Sequence, residues 1–297
     1  MDHFGLKGLP ERPAKPRQEG LTLMLDKGLS PRQIEDVLDV AAGYVDLVKL
    51  GWGTAAITPG LERKLALYRA AGLPVYFGGT LFEAFYLRRQ LDDYRRLLER
   101  FDVGHVEISD GSIEVPHDEK LSCIRTFARD FTVLSEVGSK DAEKIMPPYR
   151  WVQLIRAELE AGSWKVICEA RESGTAGLYR SNGEVRSGLV DEIVDSVDRH
   201  RLVFEAPQKA QQVWFIRHSG PNVNLGNVAP EEVLPLETLR LGLRADTLFA
   251  FYPPSPAAPA RSLGRCRAAR GARGDGRPPP SRASHRAARR GMPTHGG

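Results

Sequence analysis

Short apolar runs recur along the chain at a spacing that few folds can use. The first five begin at Leu21, Tyr44, Pro74, Val103 and Phe131, which lie 23 to 30 residues apart; this is the length of a strand with a returning helix. Most of the runs are apolar throughout, as parallel strands covered on both faces are. Eight such runs predict an α/β chain, a single-domain (β/α)8 TIM-type barrel, with a doubly wound open sheet as the alternative. The candidate strands are Leu21–Leu25, Tyr44–Leu50, Pro74–Phe77, Val103–Ile108, Phe131–Leu134, Trp164–Cys168, Leu202–Phe204 and Val213–Ile216.

Helix start signals fall between these runs. Ser30 and Thr58 each precede a proline, which places a capping hydroxyl ahead of a residue suited to the first helical turn. Thr80 and Glu83 have the spacing of a capping box. The last connection fits poorly, because only residues 206–212 separate the seventh and eighth runs and a parallel crossover needs about a dozen residues.

The composition changes abruptly after Tyr252. Residues Pro254–Gly297 carry ten arginines and one acidic residue, a net charge of +9 that leaves −5 on the rest of the chain. Because this segment cannot bury apolar surface, we predict that it is disordered, and its break with the preceding pattern favours an out-of-frame extension. The predicted organisation is a lead-in at 1–19, the barrel at 20–252 and the tail at 253–297. The acidic body argues against nucleic-acid binding by the folded part.

The remaining bulk features point to one compartment. Cys123, Cys168 and Cys266 are too few and too scattered for a disulfide framework or a zinc site. No run of about 18 apolar residues predicts a membrane span, and the first twenty residues lack the apolar core of a signal peptide. We therefore expect a cytoplasmic protein without a membrane partner. We also expect a homo-oligomer, although these features do not bear on assembly.

Charged side chains follow nearly every apolar run, where a barrel presents side chains to its substrate. Charges at an apolar mouth lose solvation, and chemistry is the natural reason to keep them there. Glu107, Glu136 and Glu169 end three consecutive candidate strands. Carboxylates that converge from neighbouring strands suit Mg²⁺. The alternative is a structural network in which each carboxylate pairs with a lysine.

Cationic residues accompany the carboxylates. Lys27 and Lys140 also follow candidate strands, and Lys49 lies near the end of one. Each is suited to binding an anion or to donating a proton if cations and apolar walls lower its pKa. A salt bridge to an adjacent carboxylate is the alternative for each. The glycine-rich loop after the sixth run carries Arg171 and two further arginines; it is long enough to close over an anionic substrate, although an ordinary excursion is favoured for the other two.

Asn222 and Asn224 follow the eighth candidate strand, among glycines. Barrels often bind phosphate there through backbone N–H groups, but the signal is weak by itself. Neither a dinucleotide-binding nor a P-loop pattern is present in the sequence.

The strand-end residues lie in eight longer strings, which are LTLMLDKGLSPRQIED, YVDLVKLGWGTAAI, GLPVYFGGTLFEAF, VEISDGS, LSEVGSK, ICEARESGTAGLY, VFEAPQKAQQVWFI and NVNLGNVAPEEVLPLETLRLGLRADT. They follow one another in order and cover nearly the whole body, from about Gly20 to Thr247. Taken together, these strings resemble one family, phosphosulfolactate synthase.

The resemblance implies a β/α barrel and the Mg²⁺-dependent addition of sulfite to phosphoenolpyruvate, giving phosphosulfolactate. The formation of this product is an early step towards coenzyme M in some organisms and towards sulfolactate in others. On this basis Glu107, Glu136 and Glu169 are expected to bind Mg²⁺, and Lys140 to donate a proton, with Lys49 and Lys27 as alternatives. The residues expected to contact the substrates are Asp26, Lys27, Lys49, Arg171, Lys209, Asn222 and Asn224.

The same family includes plant heat-stress-associated relatives. The competing hypothesis is therefore a stress or interaction protein on the same barrel, with a different substrate or none. A third and weaker hypothesis makes the arginine-rich tail a nucleic-acid-binding arm.

Overall fold

Eight parallel strands alternate with helices in the computed structural model, which describes residues 3–138 and 146–253. The strands form one sheet in the order β3-β2-β1-β8-β7-β6-β5-β4, and β3 lies beside β4, so that the sheet forms a nearly closed barrel. The predicted (β/α)8 fold is thereby confirmed. The strands are β1 (Thr22–Asp26), β2 (Leu47–Leu50), β3 (Val75–Phe77), β4 (His105–Ile108), β5 (Thr132–Val137), β6 (Lys165–Cys168), β7 (Leu202–Glu205) and β8 (Leu225–Val228).

Helices surround the strands. Most of the barrel's apolar side chains are buried between the two layers, where each large one contributes about 1.5–3 kcal/mol. Within the described ranges, no helix is long and apolar enough to cross a membrane. The α-helices are α1 (Pro31–Ala41), α2 (Thr54–Ile57), α3 (Leu61–Ala70), α4 (Gly79–Leu87), α5 (Leu91–Arg100), α6 (His117–Phe127), α7 (Pro148–Ala161), α8 (Ser187–Ser196), α9 (Lys209–Ser219), α10 (Val233–Arg240) and α11 (Ala245–Phe251).

The barrel interior has a separate, smaller core. Its apolar side chains come from several strands and their approaches, and they form a cluster distinct from the larger core outside the barrel. The strands are therefore apolar on both faces, which explains why they appear as continuous runs in the sequence. The interior residues are Leu21, Leu23, Leu47, Tyr76, Leu134, Ile167 and Val203.

The prediction of the eighth strand is wrong. Val213–Ile216 lies inside α9, and β8 is Leu225–Val228. A run of four apolar residues is compatible with either a buried strand or a buried helix segment, and its periodicity cannot separate them. With α9 as the crossover, the connection from β7 to β8 spans residues 206–224, which removes the difficulty of the short connection.

The helix start signals have mixed outcomes. Ser30 caps α1 in a capping box, as predicted. Thr58 does not cap a helix, because α3 begins only at Leu61. Thr80 and Glu83 do not form a capping box: α4 starts one residue before Thr80 without a side-chain cap. The carboxylate of Glu83 instead accepts a hydrogen bond of 2.7 Å from a serine hydroxyl beyond β4.

The segment before β1 lies against the amino end of the barrel. The Arg12 guanidinium is 3.0 Å from a carboxylate oxygen of Glu237 in α10, and Arg17 donates to both carboxylate oxygens of Asp46. Arg240 is fully buried and donates to three backbone carbonyls near the starts of β1 and β8, at 2.6, 2.7 and 3.1 Å. The segment before β1 and the helix after β8 therefore meet at the amino end of the barrel.

Two predictions concern residues outside those that the structure describes. These are the disordered tail, predicted at 253–297 and described only at residue 253, and the proton donor Lys140.

Candidate active site

Three buried glutamates meet at the carboxyl ends of neighbouring strands. Glu136 lies in β5, Glu169 follows β6 and Glu205 ends β7. One carboxylate oxygen of each lies within 4.8 Å of the others. This all-oxygen, anionic donor set fits Mg²⁺. We refer to these three residues as the carboxylate cluster.

Glu107, which was expected to be a metal ligand, lies beside this cluster with other partners. Its Oε1 accepts a hydrogen bond of 2.7 Å from the Gly79 N–H in the first turn of α4, a favourable place for a carboxylate. Its Oε2 lies 2.9 Å from the Lys49 ammonium nitrogen. Burial raises the pKa of Glu107, Lys49 lowers it, and the nearby carboxylate of Glu136 raises it again, to about 7. The group of three carboxylates that could hold a metal ion therefore contains Glu205 and not Glu107.

Lys49 lies at the centre of the site. From β2 its Nζ is 2.9 Å from Glu107, 3.3 Å from Glu205 and 3.9 Å from Glu136. Burial alone would lower the pKa of Lys49, but the carboxylates of Glu107 and Glu205 raise it well above its usual value. The sequence argument expected cations around such a lysine, and hence a lowered pKa. For Lys49 the direction is opposite, and its ammonium is a fixed positive charge among carboxylates.

Lys27 and Arg171 lie at the rim of the mouth. Lys27 is exposed and forms an ion pair with Glu172, and its Nζ lies 5.9 Å from the centre of the Trp52 ring. Trp52 and Glu172 line the same cavity as the carboxylate cluster. Arg171, next to Glu172, is also exposed. Both cations therefore stand where an anionic reactant would enter, whereas Lys49 lies deeper.

Asp26 has a different environment from the one that the sequence suggested. Its carboxylate is fully buried and accepts hydrogen bonds from Lys64 at 2.9 Å and Tyr68 at 2.8 Å, both in α3. Two backbone N–H groups of the following turn also donate to it, each at 2.8 Å. The carboxylate thus has four donors, and its bonds to the two backbone N–H groups fix the turn after Lys27. We therefore expect Asp26 to position that turn rather than to contact substrate.

Lys120 holds the backbone of Glu136, one member of the carboxylate cluster. It is buried in α6, and its Nζ lies 2.8 Å from both Glu158 of α7 and Asp110. It also donates to the Glu136 carbonyl oxygen at 2.5 Å. Burial would lower the pKa of Lys120, but the carboxylates of Glu158 and Asp110 raise it above its usual value. The lysine therefore stays charged and links two helices to β5.

The loop after β6 makes several contacts with the barrel. The hydroxyl of buried Tyr179 donates to the Glu205 carbonyl oxygen at 2.5 Å, and the Gln211 amide of α9 donates to a loop carbonyl at 2.8 Å. Gly177 has a positive φ of 57°, and a Cβ there would collide with the carbonyl oxygen of Glu169. Gly177 therefore serves close packing, and the lid hypothesis gains no support from these contacts.

Three other residues that were predicted to contact substrate have other partners in the structure. Asn222 and Asn224 precede β8 and so lie at the amino end of the barrel, where Asn222 accepts from Arg12 and Asn224 bonds the backbone at the starts of β1 and β7. Their expected place at the mouth is wrong because it depended on the misplaced strand. Lys209 opens α9, is exposed, and lies 3.1 Å from Asp246 of α11.

Asn227 is a mouth residue that the sequence argument missed. It lies in β8 and lines the cavity with Lys49 and the carboxylate cluster. The residue is only 8% exposed. It was missed because β8 was misplaced and because the direction of this side chain depends on an irregularity in the pairing of β8 with β1. Glu205 was recognised as a strand-end residue, but it was not included in the metal set.

The fold and the site together define a class. A β/α barrel with a carboxylate cluster and a buried lysine at the carboxyl ends of its strands has the arrangement of barrel enzymes, whose catalytic residues come from several strand ends. The family model described as (2R)-phospho-3-sulfolactate synthase (ComA) matches residues 10–246. The chain belongs to the phosphosulfolactate synthase family and is an enzyme of this class.

Curated relatives and solved structures agree with this assignment. The chain is 43% identical over 252 residues to a phosphosulfolactate synthase of Bacillus subtilis, a match that covers 84% of this chain and all of the relative. A phosphosulfolactate synthase of Methanocaldococcus jannaschii is 44% identical over 237 residues, 77% of this chain and 94% of that protein. The Arabidopsis thaliana protein HEAT-STRESS-ASSOCIATED 32 is 24% identical over 77% of this chain and 88% of that protein.

Among solved structures, 3-hexulose-6-phosphate synthase from Salmonella typhimurium has a TM-score of 0.51 at 15% identity. The match covers 74% of this chain and 98% of that one. At this identity the likeness concerns the fold alone.

Proposed function

We propose that this protein adds sulfite to phosphoenolpyruvate to give phosphosulfolactate, with Mg²⁺ as cofactor. The observation that carries the proposal is the match along nearly the whole barrel to phosphosulfolactate synthases, at 43–44% identity. The mouth of the barrel supports it independently, because it combines an oxygen-rich cation site with lysines suited to anions.

The carboxylate cluster fits a resident Mg²⁺. Glu136, Glu169 and Glu205 would hold the ion, because each offers a buried carboxylate oxygen within 4.8 Å of the other two and Mg²⁺ prefers oxygen ligands. When bound, the ion would supply positive charge to the carboxylate of phosphoenolpyruvate, where negative charge accumulates as sulfite attacks C3.

The lysines of the mouth have separate roles in this proposal. The reactants are both anions and repel one another, and the buried ammonium of Lys49 offsets this repulsion because its neighbours keep it charged. Lys27 at the rim offers a cation at the entrance. The electron pair of the double bond moves to C2 as sulfite adds to C3, and a proton is finally added at C2. Lys140, predicted to deliver it, lies outside the described residues, and Lys49 and Lys27 stay the alternatives.

The product would feed the synthesis of coenzyme M or of sulfolactate, as the family resemblance implies. A cytoplasmic location and a homo-oligomeric assembly also stay predictions.

Turnover by the purified full chain tests the proposal. We expect phosphoenolpyruvate, sulfite and Mg²⁺ to react together, with loss of the enol absorbance and a product of the mass of phosphosulfolactate. Omitting sulfite or chelating Mg²⁺ should stop the reaction. Absence of turnover by protein with an intact circular-dichroism spectrum would refute the proposed activity.

Matched variants test the site. Glu205→Gln removes one negative charge from the carboxylate cluster with little change of shape, and we expect it to lower turnover at least 100-fold, in line with the loss of an electrostatic catalytic contact. Glu160→Gln makes the same change on an exposed part of α7 and should leave turnover unchanged. Equal activity of the two variants would contradict the assignment of the site.

One observation keeps a second candidate in view. The heat-stress-associated relative matches 77% of this chain, so the same barrel could serve a stress or interaction role with another substrate or none. The turnover assay separates the two candidates, because this second role requires no product from phosphoenolpyruvate and sulfite.

A further inference from the structure

A local irregularity in β8 lies directly beside the carboxylate cluster. Thr22 of β1 is paired with Leu225 of β8, but Met24 is paired with Val228. Two positions on β1 therefore correspond to three on β8, which is the register of a β-bulge. Asn227 lies within the bulge, and its φ of 55° is in the left-handed region.

The bulge changes the direction of the Asn227 side chain. Glu205 points into the mouth, where it meets Lys49, and Gly226 is its partner on β8. In a regular strand the next residue would face the opposite side, towards the helices. Asn227 instead lines the cavity with Glu205 and Lys49. Bulges beside active sites commonly re-aim a side chain in this way.

The re-aimed side chain lacks a partner for its amide oxygen. Among the described residues, Oδ1 of Asn227 is buried and has no hydrogen-bond partner. A buried acceptor of this kind is unfavourable unless a donor or a cation meets it. Asparagine tolerates the left-handed region better than most residues do, but that tolerance accounts only for the backbone and leaves the buried oxygen unexplained.

The chemistry of the surroundings selects the partner. The side-chain donors that line the same cavity are Lys49, Trp52 and Thr80, and none of them reaches this oxygen. The carboxylates of the lining and the oxygens of phosphoenolpyruvate and sulfite are acceptors and do not satisfy it either. A divalent cation does. Mg²⁺ takes six oxygens, so positions beyond the three carboxylate oxygens of the cluster are open to an amide oxygen, to water or to substrate.

We propose that the amide oxygen of Asn227 is a fourth protein oxygen of the cation site formed by Glu136, Glu169 and Glu205. The inference rests on the proposed Mg²⁺ dependence and adds a residue that the carboxylate geometry alone does not include. The bulge in β8 then has a purpose, which is to bring a neutral oxygen to an anionic site.

Binding of Mg²⁺ alone tests the proposal without any turnover. Isothermal titration of the full chain with Mg²⁺ is compared for the wild type and for Asn227→Gly, because glycine accepts the positive φ and keeps the backbone unstrained. We expect Asn227→Gly to weaken Mg²⁺ binding about 10–100-fold, as for other groups that support a metal site. Asn227→Asp keeps an oxygen and adds a charge, so it should bind Mg²⁺ at least as tightly as the wild type.

Asn182→Gly is the matched control, because Asn182 is an exposed loop residue and its loss should leave Mg²⁺ binding unchanged. Wild-type affinity in Asn227→Gly would overturn this inference and leave the proposed function standing. Unchanged Mg²⁺ binding with weaker binding of phosphoenolpyruvate would also overturn it, by assigning the amide to the substrate. Failure of the wild type to bind Mg²⁺ would overturn both the inference and the proposed cofactor.

Discussion

Replacing Lys120 by methionine tests the claim that a buried ion pair links α6, α7 and β5. The ammonium lies 2.8 Å from Glu158, and both side chains are almost completely buried, at 2% and 1% exposure. Removing one partner of a buried pair leaves the other charge without compensation, which costs about 3–5 kcal/mol. For a domain of this size that loss lowers the melting temperature by about 6–20 °C, at 2–4 °C per kcal/mol.

The double variant Lys120→Met with Glu158→Met separates the ion pair from simple loss of packing. Replacing a buried pair by apolar side chains of similar volume is often neutral or stabilising. We therefore expect the double variant to recover most of the lost stability, with a coupling free energy of about 2 kcal/mol or more. Urea unfolding at neutral pH without ligands measures all four proteins. A single variant within 1 kcal/mol of the wild type, or additive losses in the double variant, would refute this account.

Three further predictions concern other buried positions of the barrel. Burial lowers the pKa of Lys165 to about 8, so between about pH 8 and 10.5 the unfolded chain binds more protons than the native one. The free energy of unfolding should therefore rise with pH across this window, and Lys165→Met should remove that rise in urea unfolding. Gly79→Ala would place a Cβ against the Ser109 hydroxyl, and we expect a loss of about 1–3 kcal/mol in thermal unfolding; wild-type stability would contradict it. Tyr179→Phe removes the 2.5 Å hydrogen bond to the Glu205 carbonyl oxygen and should lower the free energy of unfolding in urea by about 1 kcal/mol. An unchanged midpoint would show that this bond does not stabilise the fold.

The fold could be predicted because parallel strands buried on both faces appear as apolar runs in the sequence. Seven of the runs contain the observed strands or overlap them. The eighth failed where the apolar run Val213–Ile216 belongs to a helix packed on the barrel. Local sequence does not distinguish these two environments, and the failure moved Asn222 and Asn224 to the wrong end of the barrel.

The candidate site could be predicted only in part, because sequence order is not spatial order. Glu107 and Glu205 are both charged residues at strand ends, and they differ in what surrounds them. Glu107 meets the amino end of α4 and Lys49, whereas Glu205 joins the carboxylate cluster. Asn227 depends on a bulge, a feature of strand pairing that one strand's sequence does not show.

The contacts at the amino end of the barrel have a consequence for the synthesis of the chain. Leu21 at the start of β1 donates to Asn224 at the start of β8, and Arg12 reaches Glu237, so the seam closes between residues more than two hundred positions apart. During synthesis, β1 and β7 present unpaired edges until the ribosome has released β8, and such edges pair readily with other chains. A chain that stops before Leu225 would therefore aggregate rather than persist as a smaller, partly active enzyme.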